Sequence, residues 1–403
     1  MDVPAAEKLS IELMTKQEKA SDSLRAIVGF DVNVNSSASL AQAFDEAGLP
    51  YNTTAKGNPT FPAAFLEGID HKVPTLIREI RNLGKLKGTF VDGYILDKHI
   101  DSRVYCQFHQ LRSDDTGTRS GRFSSSTPNL QNIPSRDPVL APLIRGLFIP
   151  DPGHVAWRKY DYSQIEYRCL AHDAIGPAGE ALRQIFINDP NADYHEVTRD
   201  LVDRETGILL DRKPIKNINF GLIYGMGITT LSANLGLSKK DGGQLFKAYH
   251  RGAPYAQATM DHYMEMALET GVVPTILGRK SRFNLWEPHK FERGAIPLSY
   301  DEALLKWGRI KRAQAHKALN RRLQGSAADV MKKAMHKCYY DGVFAETGTP
   351  KLTVHDELNF SDPGNKDVAF KEMQHVMETA LPLLIPVKAD GEIGPNWGNV
   401  KEI

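Results

Sequence analysis

Two short acidic runs, about 200 residues apart, most constrain how this chain can fold: Asp161-Tyr162-Ser163-Gln164-Ile165-Glu166 and Val354-His355-Asp356-Glu357-Leu358. Each is strand-like, flanked by apolar residues, and carries carboxylates. A fold that sets such strands side by side can hold two divalent cations about 3.5–4 Å apart, an arrangement that stabilises both the attacking and the leaving oxygen in phosphoryl transfer. Mg²⁺ suits such a place, because one or two carboxylates suffice beside waters and substrate phosphates. Alone, Asp356-Glu357 would read as a solvated loop tip; the Asp161 run gives it a partner.

Between the two runs lie Arg212, Lys216, Phe220-Gly221 and Tyr224-Gly225, four residues apart in turn. Steps of four drift only about 40° around an α-helix of about 3.6 residues per turn, so these side chains form one basic and aromatic stripe. Asp211 can cap the helix, and Pro214 falls in the first turn, where proline is tolerated. Cations at the N-terminal end suit a triphosphate. Phe220 and Tyr224 offer flat surfaces to sugar and base, and Gly221 and Gly225 allow backbone or template to come close. Out of context the same stripe fits an amphipathic helix with snorkelling cations and core aromatics.

A chain of 403 residues can hold two or three subdomains. Its net charge of +1 excludes binding to nucleic acid by bulk charge, but not a local basic groove. Three scattered cysteines, Cys106, Cys169 and Cys338, suggest neither a zinc site nor a disulfide framework. No apolar run has the length of a membrane span and the N-terminus lacks a signal-peptide shape, so a cytoplasmic or organellar protein without membrane contact is expected.

Residues 1–100 read as helical with breaks: helices over 7–27, 39–47 and 73–86, a turn at 32–37 and a loop at 52–62, the last helix running out at 85–88. Strand patterns occupy 103–109, 155–162 and 352–360, the last with Asp356-Glu357 at a hairpin turn. Together they predict an antiparallel sheet backed by a helix over 324–340. Residues 173–304 read as mostly helical, with an irregular Pro/His/Trp-containing stretch at 283–298.

The three chemical runs resemble motifs A, B and C of the family A DNA polymerases, the group of bacterial DNA polymerase I and its phage relatives. Residues 116–134 (TGTRSGRFSSSTPNLQNIP) are similar to the family's primer-template signature, and Gln324-Gly325-Ser326-Ala327-Ala328-Asp329 to its palm helix. The five occur in the family's order and span almost the whole chain. The resemblance implies an α+β right-hand polymerase with an antiparallel palm sheet, helical fingers and a helical thumb: thumb 1–100, palm 101–172 and 305–403, fingers 173–304. It implies template-directed addition of deoxyribonucleotides to a primer 3′ end, with two Mg²⁺ ions (Mn²⁺ as a substitute) held by Asp161, Asp356 and the Tyr162 carbonyl, and Glu357 assisting. Lys216 and Arg212 would meet the phosphates with His195, and Lys216 would protonate the leaving pyrophosphate. Phe220, Tyr224 and Gln164 would complete the dNTP pocket, and Glu166 would exclude a ribose 2′-hydroxyl. Phe220, where other members have Tyr, resembles members that discriminate against dideoxynucleotides.

Primer-template contacts are implied for Arg122, Asn129, Gln131, Arg136, Asn320, Gln324 and His355. Arg122 would touch the minor-groove edge at the primer terminus, where acceptors vary little among base pairs. One position departs: eight residues before Gln324 the bacterial enzymes carry arginine, and this chain has His316 followed by Lys317. The motifs leave no room for a 3′–5′ exonuclease domain, and the Asp-x-Glu runs at 203–205 and 390–392 lack such a context. The start within thumb-like sequence suggests a piece of a longer protein, or a monomer whose accessory proteins or exonuclease sit on other chains. A single-subunit RNA polymerase shares the carboxylates and the basic helix; Glu166 and the full Phe220–Gly225 pattern oppose it. A catalytically dead duplex binder is opposed by the intact acids and cations.

Overall fold

The computed structural model describes residues 1–403 apart from 55, 112, 114–116, 136, 138–139, 208–211, 291 and 293, and apart from the side chains of 205, 206, 212–214 and 220. The chain divides into two compact units. One comprises Met1–Phe108, Ser125–Arg158 and Ile393–Lys401; the other comprises His109–Ser124, Lys159–Glu392 and Glu402–Ile403.

In the first unit a long helix, Val3–Val28, buries Leu9, Leu13, Ala20, Leu24 and Val28 along one face. Asp2 caps its first turn by accepting from the Ala5 N–H at 3.0 Å. It packs against the helix Lys72–Lys85. That second helix does not run out at Gly88, as its sequence suggested. The coil widens instead into a π-helix, Leu86–Leu96. Its Lys87 pairs with Asp92 at 2.5 Å, and Ser10 of the long helix donates to the same carboxylate at 2.7 Å. The expected loop at 52–62 contains a minimal hairpin, Asn52–Thr53 with Pro59–Thr60.

One sheet is five-stranded and antiparallel. In spatial order its strands are Leu352–Val354, Glu357–Asp362, Ala156–Tyr162, Ala389–Gly394 and Lys401–Glu402. The expected strands at 155–162 and 352–360 are both in it. The one at 103–109 is not: it breaks into Arg103–Val104 and Gln107–His109, which belong to separate two-stranded ribbons. Ala389–Gly394 and Lys401–Glu402, unread in the sequence, take sheet positions instead. Behind the sheet runs the helix Ala318–Tyr340, which starts earlier than the expected 324. Helices from Gly176–Asn188 through Pro254–Thr270 fill most of 173–304. Within the irregular stretch at 283–298 one short strand forms. Trp286–Pro288 pairs with Ile310–Arg312, and the Arg312 guanidinium lies 4.7 Å over the Trp286 ring.

Candidate active site

Alternation along Ala156–Tyr162 settles where Asp161 goes. Tyr160 and Tyr162 enter the core, 1% and 3% exposed, so Lys159 and Asp161 face the other side of the strand. The Tyr162 hydroxyl is tied to the Met377 carbonyl at 2.7 Å. On the neighbouring strand pair, Val354 stands opposite Glu357, so the turn is His355-Asp356 and Glu357 already belongs to the strand. His355 takes a left-handed conformation, φ 58°. The two acidic runs then meet directly: the Tyr162 N–H donates to the Asp356 backbone carbonyl at 3.3 Å.

The electrostatics match that meeting. Burial pushes the Asp161 carboxyl well above the usual carboxylate range, and the charges of Asp356 and Glu357 push it further; Lys159 only partly offsets them, being paired with Glu392 at 2.5 Å. Burial raises Asp356 too, against the pull of Arg122. Asp161 Oδ1 is buried and has no hydrogen-bond partner. Among the described residues no group of three or more His, Cys, Asp and Glu side chains forms a preassembled metal centre. Two buried carboxylates, one with an orphaned oxygen, nevertheless fit a hard cation that draws its remaining ligands from substrate and water.

Glu166 opens the helix Ile165–Asp173, entered through Gln164 in the left-handed region, φ 54°. The Arg122 guanidinium pairs with Glu166 Oε1, while Glu166 Oε2 is buried without a partner. Burial raises this carboxyl and Arg122 lowers it again. The proposed sugar gate and the proposed minor-groove arginine are thus one ion pair. Gln164 serves as a tie between helices. Its Oε1 accepts the Tyr194 N–H at 2.9 Å, joining the helix Ile165–Asp173 to Tyr194–Thr206. His195 follows, buried, its N–H accepted by Asp193 at 2.7 Å. Its Nδ1 lies 3.0 Å from Asn219 Nδ2, and Tyr167 meets its ring edge-to-face at 4.8 Å. Sequence reading missed Asn219; its place four residues before the helix end, next to Phe220, was the available signal.

Arg212–Ile223 is helical, burying Ile215, Ile218, Asn219, Leu222 and Ile223 and leaving Lys216 exposed at the flank of that face. The Arg212 and Phe220 side chains, the Asp211 cap and the Arg136 contact lie outside the described residues. Tyr224 sits past the helix end rather than on its stripe, partly buried against the core. A side chain at Gly221 would strike the Met226 methyl, so that glycine makes room for a neighbour in the protein.

An arginine outside every motif packs against the signature loop at Gly121. Arg279, on the hairpin Val272–Pro274/Lys280–Arg282, donates to Asp329 Oδ1 (3.1 and 3.0 Å) and to the Gly325 carbonyl (2.9 Å). A Cβ at Gly121 would lie 2.5 Å from its Nη1, and one at Gly325 would lie 2.6 Å from Thr275. Both positions are glycine because loop, hairpin and helix touch there. Around this junction opens a groove of about 630 Å³ lined by Arg119, Arg279, Lys280, Arg282, Arg321 and Lys332, with no acidic residue in its lining among the described residues. The run Arg279-Lys280-Ser281-Arg282 was its unread signal. Gln324 is half-buried, Asn320 Oδ1 is buried without a partner, and His316 is exposed, its imidazole shifted down by partial burial and by Lys317. In the first unit, Asn129 Oδ1 is spent locally, accepting from Ser125 Oγ and the Gln131 N–H.

Comparison with known proteins agrees with this geometry. The family model described as DNA polymerase family A matches residues 3–399. The chain is 33% identical over 442 residues to the DNA-directed DNA polymerase of Pseudomonas phage M6, covering 96% of this chain and 61% of that protein. It is 33% identical over 413 residues to the thermostable DNA polymerase I of Thermus aquaticus, covering 100% of this chain and 46% of that protein. For DNA polymerase I of Bacillus subtilis (strain 168) the figures are 32% over 415 residues, 100% and 43%. The chain therefore spans about half the length of the curated relatives it matches. Among solved structures it is similar to the POL domain of Pol1 from M. smegmatis in complex with DNA primer-template and dNTP. The TM-score is 0.80 at 26% identity, covering 99% of this chain and 67% of that one. With a family match running from residue 3 to residue 399 and a shared overall fold, the chain belongs to DNA polymerase family A.

Proposed function

We propose that this chain is a template-directed DNA polymerase that adds deoxyribonucleotides to a primer 3′ end, with residues 1–100 as thumb, 173–304 as fingers and the rest as palm. The observation that carries the reading is the meeting of Asp161 and Asp356 through the Tyr162–Asp356 backbone bond, with an acid oxygen left unsatisfied beside it. Asp161, Asp356 and the Tyr162 carbonyl are the proposed ligands for divalent cations, and Glu357 steadies the turn from its buried place in the strand. When bound, the ions supply charge stabilisation to the attacking and leaving oxygens.

The chain's own groups do the rest. Lys216 stands exposed, able to meet the triphosphate and to donate a proton to the departing pyrophosphate as the primer oxygen bonds to the α-phosphorus. Arg212 takes a second share of the phosphate charge. The Asn219 amide, donating to His195 Nδ1, places the imidazole proton on Nε2. The cationic groove and Arg122 take the duplex, with contacts to backbone that position without reading sequence. Proofreading has no proposed seat in this chain. Asp203 is helical and Glu392 is paired with Lys159.

Primer extension tests the reading. Purified protein with a primed template, Mg²⁺ and dNTPs should lengthen the primer in template order, and chelation of the metal should stop it. Extension with ribonucleotides alone, or none with either, would sink it. Sugar choice is a second expected result. Glu166→Ala should admit ribonucleotides and also free Arg122; Phe220→Tyr should admit dideoxynucleotides. Competition assays that find both variants as selective as the parent would refute the pocket assignment.

A further inference from the structure

The helix Ala318–Tyr340 passes the cationic groove and continues beyond it. Lys332 lines the groove. With about 100° per residue, His336 lies about 40° to one side of Lys332, Tyr339 about 20° to the other, and Tyr340 about 80° away, so all four share one face. At about 1.5 Å per residue the two tyrosines stand about 10–12 Å past Lys332. Both are exposed, Tyr339 at 69% and Tyr340 at 72%, two large aromatic surfaces set side by side in water. Their rings are 5.3 Å apart and nearly perpendicular, 85°, and the His336 ring lies 4.4 Å from Tyr340, tilted by 37°.

We propose that this aromatic group is a stacking platform for unpaired bases of single-stranded DNA continuing from a duplex in the groove. The inference rests on the duplex-binding reading above and adds a subsite to it. Charge sets the division of labour. Among the described residues six cations and no acid line the groove, which suits phosphates. Beside the tyrosines, Lys337 is neutralised by its ion pair with Asp341, and the helix C-terminus presents partial negative charge. Phosphates gain little there, whereas a base gains a flat partner whatever its identity. Perpendicular rings let one base lie on Tyr340 while its edge meets Tyr339.

The test is equilibrium binding of the full chain to labelled blunt duplex and to the same duplex carrying a single-stranded tail at either end. The parent should bind one tailed probe more tightly than the blunt one. Tyr339→Ala with Tyr340→Ala should weaken binding to that probe about tenfold, and leave the blunt duplex unchanged. Tyr339→Phe with Tyr340→Phe, which keeps the rings, should restore it. Equal affinity of the alanine variant and the parent for both tailed probes would overturn the platform, as would an equal loss on blunt and tailed duplex. A parent that binds no duplex at all would instead overturn the polymerase reading on which the proposal stands.

Discussion

Asp161→Asn and Asp356→Asn are each expected to lower nucleotide addition by about three orders of magnitude or more, the scale of losing several kcal/mol of charge stabilisation at the reacting oxygens. Duplex affinity should survive, since the groove cations are untouched. The same variants should be more stable than the parent in metal-free buffer, with the melting temperature raised by a few degrees. The reason is the crowding of like charges: Asp161 is buried beside Asp356 and Glu357, and its carboxyl is driven upward by all three effects. A carboxyl whose folded-state pKa is raised carries no penalty below the ordinary carboxylate range. It costs stability progressively as pH rises through its folded value. The stabilising effect of asparagine should therefore appear at neutral pH and fade in acid. Single-turnover primer extension and thermal melts over a pH series would check both halves. Near-parental catalysis in either variant would end the claim that these acids sit at the chemical step.

Lys216→Ala is expected to cost about 10²–10⁴ in the rate of the chemical step, the range for losing a positioned proton donor, with KM for dNTP rising as well. Lys216→Arg should recover much of the binding and little of the rate, because arginine keeps the charge but not a dissociable proton at working pH. The exposed position of Lys216, at the flank of the buried Ile215, Ile218 and Leu222, makes a folding defect a poor alternative explanation. Pre-steady-state kinetics separate the two effects. A variant altered only in KM would reduce Lys216 to a phosphate clamp.

How legible was all this in the sequence? Asp161 was, because strand alternation is a local rule: Tyr160 and Tyr162 inward forces it outward; the turn was read one residue late, at Asp356-Glu357, where Val354 opposite Glu357 makes it His355-Asp356. The basic helix was legible by period. Residues 103–109 misled because alternation marks a strand without naming its sheet, and here the run breaks between two small ribbons. The π-helix at Leu86–Leu96 was hidden because Gly88 and Gly93 read as breaks, and the packing against Val3–Val28 is met only in the fold. Ala389–Gly394 holds two glycines and two acids, a poor strand by propensity that sheet pairing overrides. Arg279 and Asn219 were passed over despite their local signals, since each acts through partners, Asp329 and His195, met only in the fold.

That single guanidinium of Arg279 has a consequence for substrate errors. It ties its hairpin to the long helix and lies against Gly121 of the loop bearing Arg122, and Arg122 in turn holds Glu166. A methyl group added at Gly121 or Gly325 would wedge this fastening open and slacken the sugar gate from behind. Lapses in nucleotide choice should therefore map to small, unreactive positions that no inventory of contact residues would include.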